Sequence, residues 1–64
     1  MSFKTARSAK GMSLKDAATA FGVTTQAVWL WEKGQTMPSA ALLPKIAEVY
    51  GVTIDDLFRK EEST

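Results

Sequence analysis

The 64-residue chain has no histidine and no cysteine. The commonest general base and metal ligand are therefore missing, along with any thiolate nucleophile, disulfide or thiolate zinc site. No Gly-x-Ser-x-Gly elbow and no Walker-type glycine loop occurs. Asp55 and Asp56 can attract a cation, but two adjacent carboxylates do not make a site. An enzyme is therefore not expected, nor a metal or other cofactor. The chemistry that remains is non-covalent recognition. Hydroxyls at Ser13, Thr24 and Thr25 and the carboxamide of Gln26 crowd into one half of the chain. A glutamine amide sets a donor beside an acceptor, so it can pair with a partner edge that does the reverse. Charge is unevenly spread around a net of +1: residues 1–15 hold Lys4, Arg7, Lys10 and Lys15 without an acid, and residues 46–64 carry a net of −3. A basic face steers toward anions even when the total is near neutral. The plain alternative is a solubilising surface.

These groups need a scaffold. A chain this short is one domain at most, residues 1–64, and buries only about 60% of its unfolded surface. Its apolar content of 45% suits a folded domain. No apolar run approaches ~18 residues, so no membrane span is expected. The N-terminus MSFKTARSAKG lacks the apolar core of a signal peptide, and a cytoplasmic protein is the default.

Helical signals recur along the chain. Phe3, Ala6 and Ala9 form a thin stripe that predicts a helix over about 3–10, stopped at Gly11 with Lys10 in its last turn. Ser13 opens a second helix, about 13–21, with Asp16 three residues on as a capping-box variant. Leu14, Ala17, Ala18 and Phe21 recur at i, i+3, i+4 and i+7, and Gly22 ends the run. Val23 plugs the turn. Thr24 caps a third helix to about residue 33, with Val28 and Trp31 inward, Ala27 beside them, and Gly34 as its stop. Small residues at Ala17, Ala18 and Ala20 let two short helices cross closely, which is the demand of a helix-turn-helix. The segment QTMPSA is a loop in which Met37 is a packing residue. Pro44 fits only a first turn, so a fourth helix spans about 43–50, in a stretch containing Leu42, Leu43, Ile46, Ala47 and Tyr50. Thr53 and Asp56 repeat the capping box for a fifth, about 54–59, burying Ile54, Leu57 and Phe58 ahead of a frayed tail at 60–64. Met12, Phe21, Val28, Trp31, Ile46 and Leu57 are core by spacing.

Arg7, MSLKDAATAFGV, TTQAVWLWEKG, a proline in the next loop and LLPKIAEVYGVTIDDLF stand in an order that resembles the phage repressor and Cro-like helix-turn-helix family of bacterial and phage regulators. The resemblance runs from about Phe3 to Phe58. It implies an all-α, compact five-helix bundle of the lambda-repressor-like class whose third helix lies in the DNA major groove. By matching position, it implies base contacts from Thr25, Gln26, Trp29 and Leu30. It implies backbone contacts from Ser13 and Thr24, through hydroxyls and free N–H groups at helix N-termini, and from Lys33, Gln35 and Thr36. Lys15 or Lys10 would add charge on that side. It also implies a buried pair between Arg7 and Glu32, with Arg7 structural rather than a DNA ligand.

The Gln26 amide matches the N6/N7 edge of adenine, and Thr25 can bond a base or a phosphate or offer its methyl group to thymine. The plain alternative for both is a solvated first-turn residue. Trp29 and Leu30 depart from the family, which usually has polar residues there. At about 100° per residue Trp29 lies some 200° from Trp31 and is expected to be exposed, with Leu30 exposed beside it. Trp29 and Leu30 then either touch thymine methyls and sugars, or pack against another protein, or Trp29 folds back on its own surface. The expected function is sequence-specific binding of double-stranded operator DNA by a small regulator, most simply a repressor, with two copies on a pseudo-palindrome joined through the region between the fourth and fifth helices and the C-terminus. The alternative is a protein-interaction module, antitoxin-like or anti-repressor, using Trp29 and Leu30. A fragment of a longer regulator is a third reading. No small-molecule ligand is evident.

Overall fold

A computed structural model describes residues 2–58. Five helices follow one another: α1 (Phe3–Ala9), α2 (Leu14–Phe21), α3 (Thr25–Lys33), α4 (Leu43–Tyr50) and α5 (Ile54–Phe58), with no strand among the described residues. Ser13 and Thr24 are caps outside the helices, so α2 and α3 start one residue later than predicted; α1 ends at Ala9, with Lys10 as its cap. The expectations for residue 59 and for the tail at 60–64 lie outside the described residues.

Local chemistry sets the boundaries. The Ser13 Oγ accepts from the Asp16 N–H at 3.0 Å, and the Ser13 N–H donates back to the Asp16 carboxylate at 3.1 Å. Thr53 and Asp56 do the same at 3.0 and 3.2 Å. Each box satisfies two N–H groups that a helix start leaves without intrahelical partners. Ser2, which the sequence reading passed over, caps α1 by accepting from the Thr5 N–H at 3.1 Å. α4 starts at Leu43, with Pro44 in its first turn, after a separate turn closed by the Leu42 N–H on the Ser39 carbonyl.

The helix-turn-helix bend depends on Gly22. It sits at φ +71°, and the next N–H, that of Val23, reaches back to the Ala18 carbonyl at 3.0 Å. A side chain would strain this left-handed conformation, so glycine holds the position. Val23 then packs half-buried against the core.

The core joins all five helices through their rings. Phe58 of α5 meets Phe3 of α1 edge-on, with centroids 5.6 Å apart. Phe3 lies 6.5 Å from Trp31 of α3, Trp31 lies 6.2 Å from Phe21 of α2, and Phe21 meets Tyr50 of α4 edge-on at 5.3 Å. Ala6, Ala17 and Ile46 are fully enclosed between these rings and the neighbouring helices. α2 packs most extensively against α3, and its Ala17 and Ala18 are buried.

Three burial expectations need correction. Ile54 and Phe58 remain 38% and 47% exposed, and only Leu57 of α5 is buried. A helix of five residues turns about one and a half times, which leaves room for one fully inward side chain. Met37 is exposed, while its neighbour Pro38 is buried. Proline has no N–H to leave unsatisfied, so it enters the core more cheaply than the rest of a loop. Met12 is half-buried against the core rather than within it.

Candidate nucleic-acid interface

α3 is locked on one side and open on the other. Val28 and Trp31 are buried and Ala27 is half-buried, whereas Thr25, Gln26, Trp29 and Lys33 are exposed and Leu30 is half-buried. Four-residue spacing sorts the open side into two stripes, Thr25–Trp29–Lys33 and Gln26–Leu30. The Lys33 ammonium lies over the Trp29 ring, 5.4 Å from its centroid. Together with Lys4, Arg7, Leu14 and Glu32, these two residues line a shallow depression of about 240 Å³. Trp29 is 42% exposed. Its ring is therefore partly engaged by its own surface, leaning toward α1 and the start of α2.

The start of α3 stays free of acid. Thr24 accepts from the Ala27 N–H at 3.1 Å, and Ala27 occupies the position that Asp16 and Asp56 fill in the two capping boxes. A helix N-terminus carries partial positive charge, which an aspartate there would offset. The end of α3 also differs from its counterparts. In α1, α2 and α4 the residue after the terminal glycine is apolar and half-buried: Met12, Val23 and Val52. After Gly34 it is Gln35, exposed, though its N–H makes the equivalent bond, to the Leu30 carbonyl at 3.1 Å. Thr36 is exposed beside it. The loop keeps the backbone geometry and gives up the apolar contact.

Ser13 and Lys15 are exposed at the start of α2. The capping box takes the Ser13 N–H, so that residue is left with its hydroxyl, contrary to the expectation of a free N–H. Lys10 lies elsewhere, across the end of α4: its Cε and Nζ are 3.0 and 3.1 Å from where a Cβ on Gly51 would stand. There its charge meets the negative end of a helix. Lys4, which the sequence reading counted only as basic charge, shares the face of Arg7 at i+3 and borders the depression beside Trp29.

Beneath this surface, Arg7 and Glu32 tie α1 to the last turn of α3. The Arg7 Nε donates to Glu32 Oε2 at 2.7 Å, Nη2 to Oε1 at 3.2 Å, and Nη1 to the Met12 carbonyl at 2.8 Å. The two side chains are 13% and 7% exposed. The bond to Glu32 raises the Arg7 pKa above its ordinary value, against the opposing effect of burial. Tyr50 lies close enough to feel both charges. Burial, reinforced by Glu32 and opposed by Arg7, pushes its phenol up to about 12.

Among the described residues no cluster of acidic side chains could hold a metal ion, and no helix is long and apolar enough to cross a membrane. Three relatives cover most of this chain. It is 38% identical over 56 residues to an uncharacterized HTH-type transcriptional regulator of Methanocaldococcus jannaschii, covering 88% of this chain and 85% of that one. It is 36% identical to the HTH-type transcriptional regulator DdrOP3 of Deinococcus deserti, again over 88% of this chain but only 43% of that protein. An uncharacterized HTH-type transcriptional regulator of Archaeoglobus fulgidus is 38% identical over 81% of this chain and 74% of its own length. The helix-turn-helix family pattern matches residues 3–57. The open face of α3, the tight α2–α3 crossing and this match over nearly the whole described chain lead to one assignment: the chain belongs to the Cro/C1-type helix-turn-helix family of DNA-binding regulators.

Proposed function

We propose that this chain binds double-stranded operator DNA sequence-specifically as a small transcriptional regulator, most simply a repressor that blocks polymerase, with α3 in the major groove. The observation that carries this is the division of α3: Val28 and Trp31 anchor it, while Thr25 and Gln26 stand exposed in a first turn without an acid. Thr25, Gln26, Trp29 and Leu30 are the proposed base-side residues. Ser13, Lys15, Thr24, Lys33, Gln35 and Thr36, on the surrounding rim, are proposed to hold the phosphates. Arg7 and Glu32 set the angle of α3 and touch no base. The relatives named as transcriptional regulators support the regulatory role. A single module covers little DNA, so two copies on a pseudo-palindromic site are part of the proposal.

A second reading has its own observation. Trp29 is a large exposed apolar side chain beside half-buried Leu30, and such a surface also suits a protein partner. Selection of bound DNA from a random pool, at one stated salt concentration, separates the two. An enriched half-site that loses preference at one position in Gln26→Ala is expected. Salt-sensitive binding without an enriched motif would favour the protein-interaction module.

A further inference from the structure

We infer that the depression bordered by α1, the start of α2 and the second half of α3 is a binding site for a small phosphate monoester carrying one flat ring, and that its occupant competes with DNA. The site stands on its own geometry; only the competition rests on the DNA-binding reading above.

The charges of the lining point to the anion. Lys4, Arg7 and Lys33 face the depression together with Glu32. Both Glu32 oxygens accept from Arg7, so those two charges offset each other and the ammonium groups of Lys4 and Lys33 stay uncompensated at the rim. Neither lysine is in a salt bridge among the described residues. A guanidinium has five N–H groups, and Arg7 spends three of them within the described residues. A monoester phosphate is doubly charged above a pKa near 6 and offers three acceptor oxygens. It therefore matches two ammonium groups and a partly engaged guanidinium better than a singly charged carboxylate does.

The rest of the lining points to the ring. Trp29 and half-buried Leu14 complete it. Lys33 covers one face of the indole, yet Trp29 keeps 42% of its surface exposed. Duplex DNA would bring a single charge and a deoxyribose to such a place, because its flat rings stay stacked inside the helix. Indole and ammonium side by side suit a ligand that carries ring and charge in one body. The volume of about 240 Å³ lies below the ~300 Å³ at which ligand pockets commonly begin, so the occupant is small. Lys33 is among the residues proposed above to hold DNA phosphates. It cannot neutralise the ligand and the DNA backbone at once, so the ligand lowers DNA affinity.

The probe is phenyl phosphate, titrated into the intact chain and followed by NMR. The indole N–H signal of Trp29 should shift while that of buried Trp31 holds, with a Kd in about the millimolar range. Inorganic phosphate, which lacks the ring, should bind about tenfold more weakly. Lys4 is exposed and outside the proposed DNA rim. Lys4→Gln should weaken phenyl phosphate about tenfold and leave the salt dependence of DNA binding as in the parent. At fixed ionic strength, phenyl phosphate should displace DNA from the parent near its own Kd. No shift at Trp29, equal affinity for inorganic phosphate, or undiminished binding by Lys4→Gln would overturn the site. A salt slope lowered by about one in Lys4→Gln would mean that the depression seats a DNA phosphate, and would overturn it too. Phenyl phosphate bound beside retained DNA would overturn the competition alone. A chain that binds no DNA would overturn the DNA-binding reading and the competition, while the titration still decides the site.

Discussion

Arg7 couples the core to the reading face with a single side chain. Each of its three nitrogens donates once, Nε and Nη2 to Glu32 and Nη1 to the Met12 carbonyl, with both side chains largely buried. Arg7→Ala strands the Glu32 carboxylate and should cost about 3–5 kcal/mol, a large share of the ~3–10 kcal/mol expected of a domain this size. Replacing both partners, as Arg7→Met with Glu32→Leu, should cost far less, because no charge is then left buried alone. Urea unfolding of the single and double variants checks this; a single-variant loss under about 0.5 kcal/mol would mean that the pair is only a solvated contact. At this scale the sequence is uneven to read. Resemblance pointed to Arg7 and Glu32 because both sit in family positions; spacing alone has no means of pairing residues 25 apart. The Lys33 ammonium over the Trp29 ring is not readable in the sequence, since periodicity gives the direction of a side chain and not what lies across its ring.

The helices follow from short-range chemistry, which explains why their number, order and approximate bounds can be read without coordinates. Ser13 with Asp16, Thr53 with Asp56, Pro44 and the closing glycines act within a few residues of where they stand. The burial of α5 depends instead on how much of the bundle remains uncovered when the chain arrives, so local spacing does not predict the exposure of Ile54 and Phe58. The crossing of α2 and α3 is the element-scale feature on which the proposed reading of DNA depends. Ala17 of α2 is fully enclosed. Ala17→Leu adds three carbons with nowhere to go and should destabilise the fold by about 1–3 kcal/mol while forcing the helices apart. Under conditions where the variant is still folded by circular dichroism, its affinity for the selected half-site should drop at least tenfold more than non-specific binding does. Equal losses of the two would mean that the angle between α2 and α3 does not govern reading.

At the scale of the whole molecule, the proposed reading and pairing surfaces belong to different helices. α3 carries the open polar face, while α5 leaves Ile54 and Phe58 uncovered. Phe58 is tied to the core through Phe3, so changing it would disturb folding as well as any contact between copies. Ile54 is the cleaner probe. If two copies meet through α5 on a pseudo-palindrome, each half-site raises the local concentration of the second copy, and the intact site binds more tightly than two independent halves. Ile54→Glu places a charge in that contact and repels its symmetry mate. Its thermal stability should stay within about 0.5 kcal/mol of the parent, the usual range for an exposed position. Its affinity for a single half-site should be unchanged. Its affinity for two half-sites one helical turn apart, ~34–36 Å, should fall about tenfold or more toward the single-site value. Retention of the full two-site advantage by Ile54→Glu would move the pairing surface away from α5 and leave the exposed isoleucine without a role in assembly.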